Sequence, residues 1–291
     1  MTDKKLHAKR LLLFLLLAFG IAWIPALILN HVFGYHAWFE TNKMPLFALP
    51  VLYAPALANL LTRKLTHEGW ENSMLHLRLR GNLKYYLTAV FIVSVISIPS
   101  GVMTTLICGN GDWSDLGAGY SWQQAVSAII MTFATAPLLA FITFGEEFGW
   151  RGYMNQHMEP LLGTAGTVIV GGIIWGLWHA VLTVQGHNFG TDYPGFPYLG
   201  ILAMCVECMF LGMLLMWLTK KTDSVFPSVI AHFMYNESQG AVMSLLVQGN
   251  IPEDASLPLW TDVVRYLPLL VIAVIFMILL LKNKKKENKT L

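Results

Sequence analysis

Phe144-Gly-Glu-Glu-Phe-Gly-Trp-Arg-Gly-Tyr153 follows a run, residues 125–143, that contains no charged side chain. Two adjacent carboxylates, Glu146 and Glu147, end that apolar stretch, and Arg151 follows four residues after the second. Charge at membrane depth is costly, so such residues read first as functional, each with a partner to be named. At ~100° per residue on a helix, Glu147 faces Arg151, whereas Glu146 shares a face with Gly149, Trp150 and Tyr153. Glu147 therefore has a local cation to hold it ionised. Glu146 has none in its own helix and is the candidate base.

Composition places the whole chain in the bilayer. Of 291 residues, 55% are hydrophobic and 12% charged, and the mean hydropathy is +0.55. Soluble domains carry roughly 25% charged residues. Apolar stretches at 11–34, 45–61, 85–108, 122–158, 163–184, 199–218, 225–247 and 263–281 read as spans. The expected fold is all-α, a polytopic membrane protein of about eight transmembrane helices with both termini cytoplasmic. It reads as one integral-membrane domain over 1–291, multi-pass in the cell membrane, with a functional core at about 122–247. The segment 122–158 is too long for one straight crossing, at ~55 Å of helical rise, and Pro137 is the expected kink. Of nineteen Lys and Arg residues, only Lys43 and Arg265 fall on the outer side of this layout, in accord with the positive-inside rule. No basic face with interleaved aromatics is present, which argues against nucleic acid as a partner. The expected partners are the lipid bilayer and a membrane-embedded or lipidated peptide. Cys205-x-x-Cys208 lies within apolar helix and reads as a pair of small hydrophobes.

The remaining ionisable groups concentrate late in the chain. His179 ends Trp175-Gly-Leu-Trp-His179, and His232 and Asn236 stand at i,i+4 on one face. Counted from each helix's cytoplasmic end, Glu146 lies at a depth of ~17 Å, His179 at ~21 Å and Asn236 at ~17 Å. The four side chains are thus expected to meet in one cavity. A carboxylate with an imidazole can deprotonate water, and a second imidazole with an amide can hold a developing oxyanion. That chemistry suits amide hydrolysis by water, since no Ser or Cys is paired with a base. A metal remains the alternative: Glu146, His179 and His232 can ligate zinc with an open fourth position. Glu207 and Glu237 are ambiguous, either facing the cavity or pairing with neighbouring helices.

Glu146-Glu147-x-x-x-Arg151, Trp175-x-x-x-His179 and His232-x-x-x-Asn236, in that order, resemble the CAAX-protease and bacteriocin-processing family. Its members include type II CAAX prenyl endopeptidases and bacterial abortive-infection proteins. The usual second motif of that family begins with Phe, where this chain has Trp175. The resemblance implies an intramembrane endopeptidase of the glutamate type, without a metal cofactor. Glu146 is then the water-activating base, His179 its partner, His232 and Asn236 the oxyanion donors, and Glu147 and Arg151 supporting residues. The substrates it implies are prenylated CAAX-like C-termini or bacteriocin-type peptides. Two non-enzymatic readings use the same polar cavity: an immunity protein that binds a membrane peptide, and a proton-coupled transporter. The chain lacks the inverted repeats of many transporters.

Overall fold

The computed structural model describes residues 2–34, 44–108, 122–242 and 259–290. The loop around Lys43, the Gly/Asp-rich turn at 109–121 and the segment 243–258 lie outside these residues. Among the described residues the protein is all helical, with no strand. The elements are α1 (Thr2–Phe33), α2 (Met44–Leu65), α3 (Leu83–Cys108), α4 (Trp122–Leu139), α5 (Phe141–Gly149), a π-helical turn (Trp150–Met154), α6 (Asn155–Trp178), α7 (Ala180–Thr183), α8 (Tyr198–Thr222), α9 (Phe226–Val242) and α10 (Trp260–Thr290). Five stretches among these are long and apolar enough to cross a membrane: Asp3–Val32, Leu83–Ile107, Phe141–Thr183, Tyr198–Thr222 and Trp260–Lys282. Helices α2 and α9 stand where the sequence places further spans, and α4 is the first part of the segment read over 122–158.

Side chains are sorted in the sense expected of helices packed in lipid. Ala18, Ala22, Ala26, Ala54, Ala58 and Ala89 are buried, while Leu12, Leu16, Ile24, Ile28, Val271 and Ile278 face outward. Small residues let helices approach closely, and large aliphatic groups lose nothing by meeting lipid tails.

The long stretch Phe141–Thr183 is a hairpin rather than one rod. Gly163 leaves the helical region at φ 69° and ψ 173°, a conformation that a side chain would resist. Contacts across it pair residues centred close to Gly163: Trp150 with Trp178 at 5.6 Å between rings, and Glu146 with Trp175 at 2.7 Å. The two legs are therefore antiparallel. Ahead of the first leg, helix is continuous through Pro137 and is interrupted three residues later at Ala140. There the Thr143 hydroxyl lies 3.1 Å from the Ala140 carbonyl and 2.9 Å from that of Val229 on α9, so the break is tied to a neighbouring helix.

Glycines decide how closely the hairpin is held. A Cβ at Gly172 would stand 2.3 Å from the Met209 Cα, and one at Gly176 2.4 Å from the Cys205 Cα, both on α8. On the first leg, a Cβ at Gly149 would meet Pro55 of α2 at 2.2 Å. Helix α1 covers the other side: Phe14 packs on Trp150 and Tyr153, and the Trp23 indole donates to the Trp178 carbonyl at 3.0 Å.

Beyond Tyr153 the hairpin is clasped by a polar cluster. Glu68, just after α2, accepts hydrogen bonds from the Tyr153 hydroxyl at 2.8 Å and the His157 imidazole at 3.0 Å. Arg10 lies 3.3 Å and Arg63 3.8 Å from the same carboxylate. Burial pushes the Glu68 carboxyl up, but the hydrogen bond and charge of His157, the Tyr153 hydrogen bond and the Arg63 charge outweigh it and hold Glu68 at about 2.

Two outcomes follow from this packing. Gly172→Ala forces overpacking against the α8 backbone and should cost ~1–3 kcal/mol, read as a lower Tm in detergent. Glu68 supplies stability that is complete above its ordinary value of 4.5 and is lost as pH falls toward about 2. The Tm of Glu68→Gln should consequently fall less steeply than that of wild type across this window.

Candidate active site

The site is built on both legs of the hairpin and closed by α9. Glu146 is 4% exposed and Glu147 fully buried, at the last turn of α5. On the second leg His179 caps the end of α6 and donates Nδ1–H to the Trp175 carbonyl at 2.9 Å. A carbonyl only accepts, so this bond assigns the proton to Nδ1 and leaves a lone pair on Nε2 in the neutral ring. Nε2 lies 3.7 Å from Glu146 Oε2. Two acceptors facing each other at that distance are satisfied by a shared donor, and a water seated beside them can give one proton to each.

Glu147 turns the other way, as the helical spacing requires. Its Oε1 accepts from the Arg151 guanidinium at 2.9 Å and from His232 Nδ1 at 2.9 Å. All three side chains are buried. The Arg151–Glu147 pair was expected from the sequence. His232 joining it was not, because only the position of α9 against α5 brings them together. With Nδ1 committed to Glu147, Nε2 is the His232 nitrogen left for another group.

Trp175 connects the two halves. Its indole N–H donates to Glu146 Oε2 at 2.7 Å, its ring face lies 4.0 Å from the Arg151 guanidinium carbon, and it meets the His232 ring edge-on at 5.2 Å. The sequence offers one signal for this role, the indole standing where the resembled family has Phe. His187, in the segment after α7, stacks parallel to His179 with centroids 6.4 Å apart, and no motif marked it.

The structure thus brings Glu146, His179, Glu147, Arg151 and His232 into one buried group. Asn236 follows His232 by one turn of α9 and is exposed. Glu207 accepts from the Tyr266 hydroxyl of α10 at 2.8 Å, so it pairs with a neighbouring helix, and Glu237 is exposed. Cys205 and Cys208 are free and buried. Among the described residues no three His, Cys, Asp or Glu side chains converge as a metal-ligand cluster.

Comparison with known proteins bears on this group directly. Residues 122–237 match the family model of the type II CAAX prenyl endopeptidase Rce1-like proteins. The chain is also 22% identical over 226 residues to CAAX prenyl protease 2 of Methanococcus maripaludis, covering 75% of this chain and 79% of that protein. The matched segment contains every residue of the buried group.

Glu147→Gln keeps the shape but removes the one negative charge between Arg151 and His232. Breaking a buried pair of this kind costs ~3–5 kcal/mol. The expected outcome is a large fall in Tm, and partial recovery in the double variant Glu147→Gln/Arg151→Met, where the stranded cation is gone.

Proposed function

We infer that this chain, whose residues 122–237 match the Rce1-like type II CAAX prenyl endopeptidase model, is an intramembrane endopeptidase in which Glu146 and His179 activate water. The observation that carries this reading is the pair itself. A buried carboxylate and an imidazole lone pair face each other at 3.7 Å, with the imidazole orientation fixed by a backbone carbonyl.

In the proposed step a water between Glu146 Oε2 and His179 Nε2 gives up a proton to this pair as its oxygen attacks the scissile carbonyl carbon. The C–O bond forms, the carbonyl π pair moves onto oxygen, and the negative charge that develops needs donors. His232 supplies one: in its protonated form Nε2–H points away from Glu147, whose carboxylate is the counter-charge for that form. Asn236, one turn along on the same face, is the proposed second donor. Collapse of the tetrahedral intermediate breaks the C–N bond, and the proton taken from water passes to the leaving amine. Glu147 and Arg151 hold His232 and take no part in bond making. No step requires a metal.

The name of the relative, CAAX prenyl protease 2, supports a substrate presented at the membrane by a lipid anchor, with the cleaved bond near its C-terminus. Bacteriocin-type peptides are the other candidate substrate.

The test is cleavage in detergent of prenylated and unprenylated C-terminal peptides, with products read by mass spectrometry. Wild-type activity should survive a strong chelator, and Glu146→Gln should lower kcat by ~10²- to 10⁴-fold with an unchanged Tm. Loss on chelation and recovery with zinc would replace this mechanism with a metal-dependent one. Solute flux under a proton gradient, without cleavage of any peptide, would replace proteolysis with transport.

A further inference from the structure

Trp175 touches more of the buried group than any residue the sequence motifs single out for chemistry. Its indole N–H holds Glu146 Oε2 at 2.7 Å, and its backbone carbonyl holds His179 Nδ1 at 2.9 Å. One residue therefore fixes both members of the pair that faces the reacting water. Its side chain directs the carboxylate, and its main chain directs the imidazole. The ring has no room to withdraw. Trp175 is 2% exposed, Arg151 lies against its face at 4.0 Å, and His232 stands edge-on at 5.2 Å. Behind it, Gly172 and Gly176 bring the helix into contact with the α8 backbone.

A carboxylate without a fixed donor can rotate about its terminal torsion, which is broad and shallow. Glu146 has no hydrogen-bonding partner in its own helix among the described contacts, and His179 at 3.7 Å is beyond direct hydrogen-bond range. The indole bond at 2.7 Å is short, in the range of a charge-assisted contact. It fixes Oε2 and, through the plane of the carboxylate, the direction of Oε1. A phenylalanine fills much of the same space and cannot donate.

We propose that Trp175 is a positioning residue of this site, whose indole N–H orients the Glu146 carboxylate for water activation in a way that a phenylalanine in its place does not. The proposal rests on the reading of Glu146 as the base, and its consequences separate into a structural part and a kinetic part.

The structural part is read without substrate. In protein carrying ¹⁵N-labelled tryptophan, the Trp175 indole resonance is assigned by its absence in Trp175→Phe. It should lie downfield in wild type and move upfield in Glu146→Ala. An unmoved resonance overturns the hydrogen bond and with it the proposal, whatever the enzyme does.

The kinetic part compares Trp175→Phe with a protein carrying 3-benzothienylalanine at position 175, which keeps the bicyclic shape and lacks the N–H. Both should lower kcat roughly 10- to 100-fold, the worth of one hydrogen bond to a charged group, with KM unchanged; Trp175→Phe also lowers Tm through its lost ring volume, which the benzothienyl protein retains. Wild-type kcat in the benzothienyl protein overturns the proposal and reduces Trp175 to a matter of shape. A loss confined to KM overturns it as well. If the resonance moves as expected while Glu146→Gln remains fully active, the catalytic reading of Glu146 has failed and the hydrogen bond is structural.

Discussion

One carboxylate oxygen organises the interior. Glu147 Oε1 takes hydrogen bonds from both Arg151 and His232 in a place without solvent exposure. The guanidinium fixed this way lies along the face of Trp175, and the imidazole fixed this way stands at its edge. Helix α9 is thereby tied to the first leg of the hairpin, and the indole between them is set to meet Glu146. Burying this many charges costs desolvation energy, which mutual attraction offsets only when the geometry is good and the partners stay together. Glu147 Oε2 has no partner among the described residues, so the group is not fully satisfied. It is held in place by its surroundings as much as by its own bonds.

What could be read from the sequence divides along physical lines. Local geometry was legible. The i,i+4 relation put Arg151 on Glu147 and left Glu146 facing elsewhere, because the helical repeat fixes those directions whatever the rest of the chain does. The all-helical class followed from the apolar runs, and depth along each helix brought Glu146 and His179 to the same level. Relations between helices were not legible. Depth says nothing about rotation about the helix axis, so the bond from His232 to Glu147 and the exposure of Asn236 could not be foreseen. The interruption at Ala140 belongs to the same class, since the Thr143 hydroxyl reaches to a carbonyl of α9. Glu68 was invisible for another reason: in sequence it is an ordinary loop acid, and only the folded hairpin brings Tyr153 and His157 to it.

Glycine positions carry much of the information that the polar motifs lack. Gly172 and Gly176 set how near α8 comes to the second leg, and Gly149 does the same for α2 and the first. Glycines in a helix permit close approach without saying which helix approaches. Conversion of those contacts into rotation is what aims Trp175, so an indole that reads as apolar packing in the sequence becomes a hydrogen-bond donor to the buried acid.

The π-helical turn at Trp150–Met154 gives the first leg a property that neither end shows alone. Such a turn accommodates a residue more than regular helix would, and each residue of helix corresponds to ~100° of rotation. The leg therefore behaves like two shafts joined by an offset coupling. On one side of it Glu146 and Glu147 are indexed to the second leg and α9; on the other, His157 is indexed to Glu68. Removing Gly152 from within the coupling would let ordinary helix run through with no apolar residue lost, and would still turn one set of side chains away from its partners. The surplus residue is thus a phase adjustment, through which the clasp at one end of the hairpin and the acids at the other each keep their own alignment along one continuous helix.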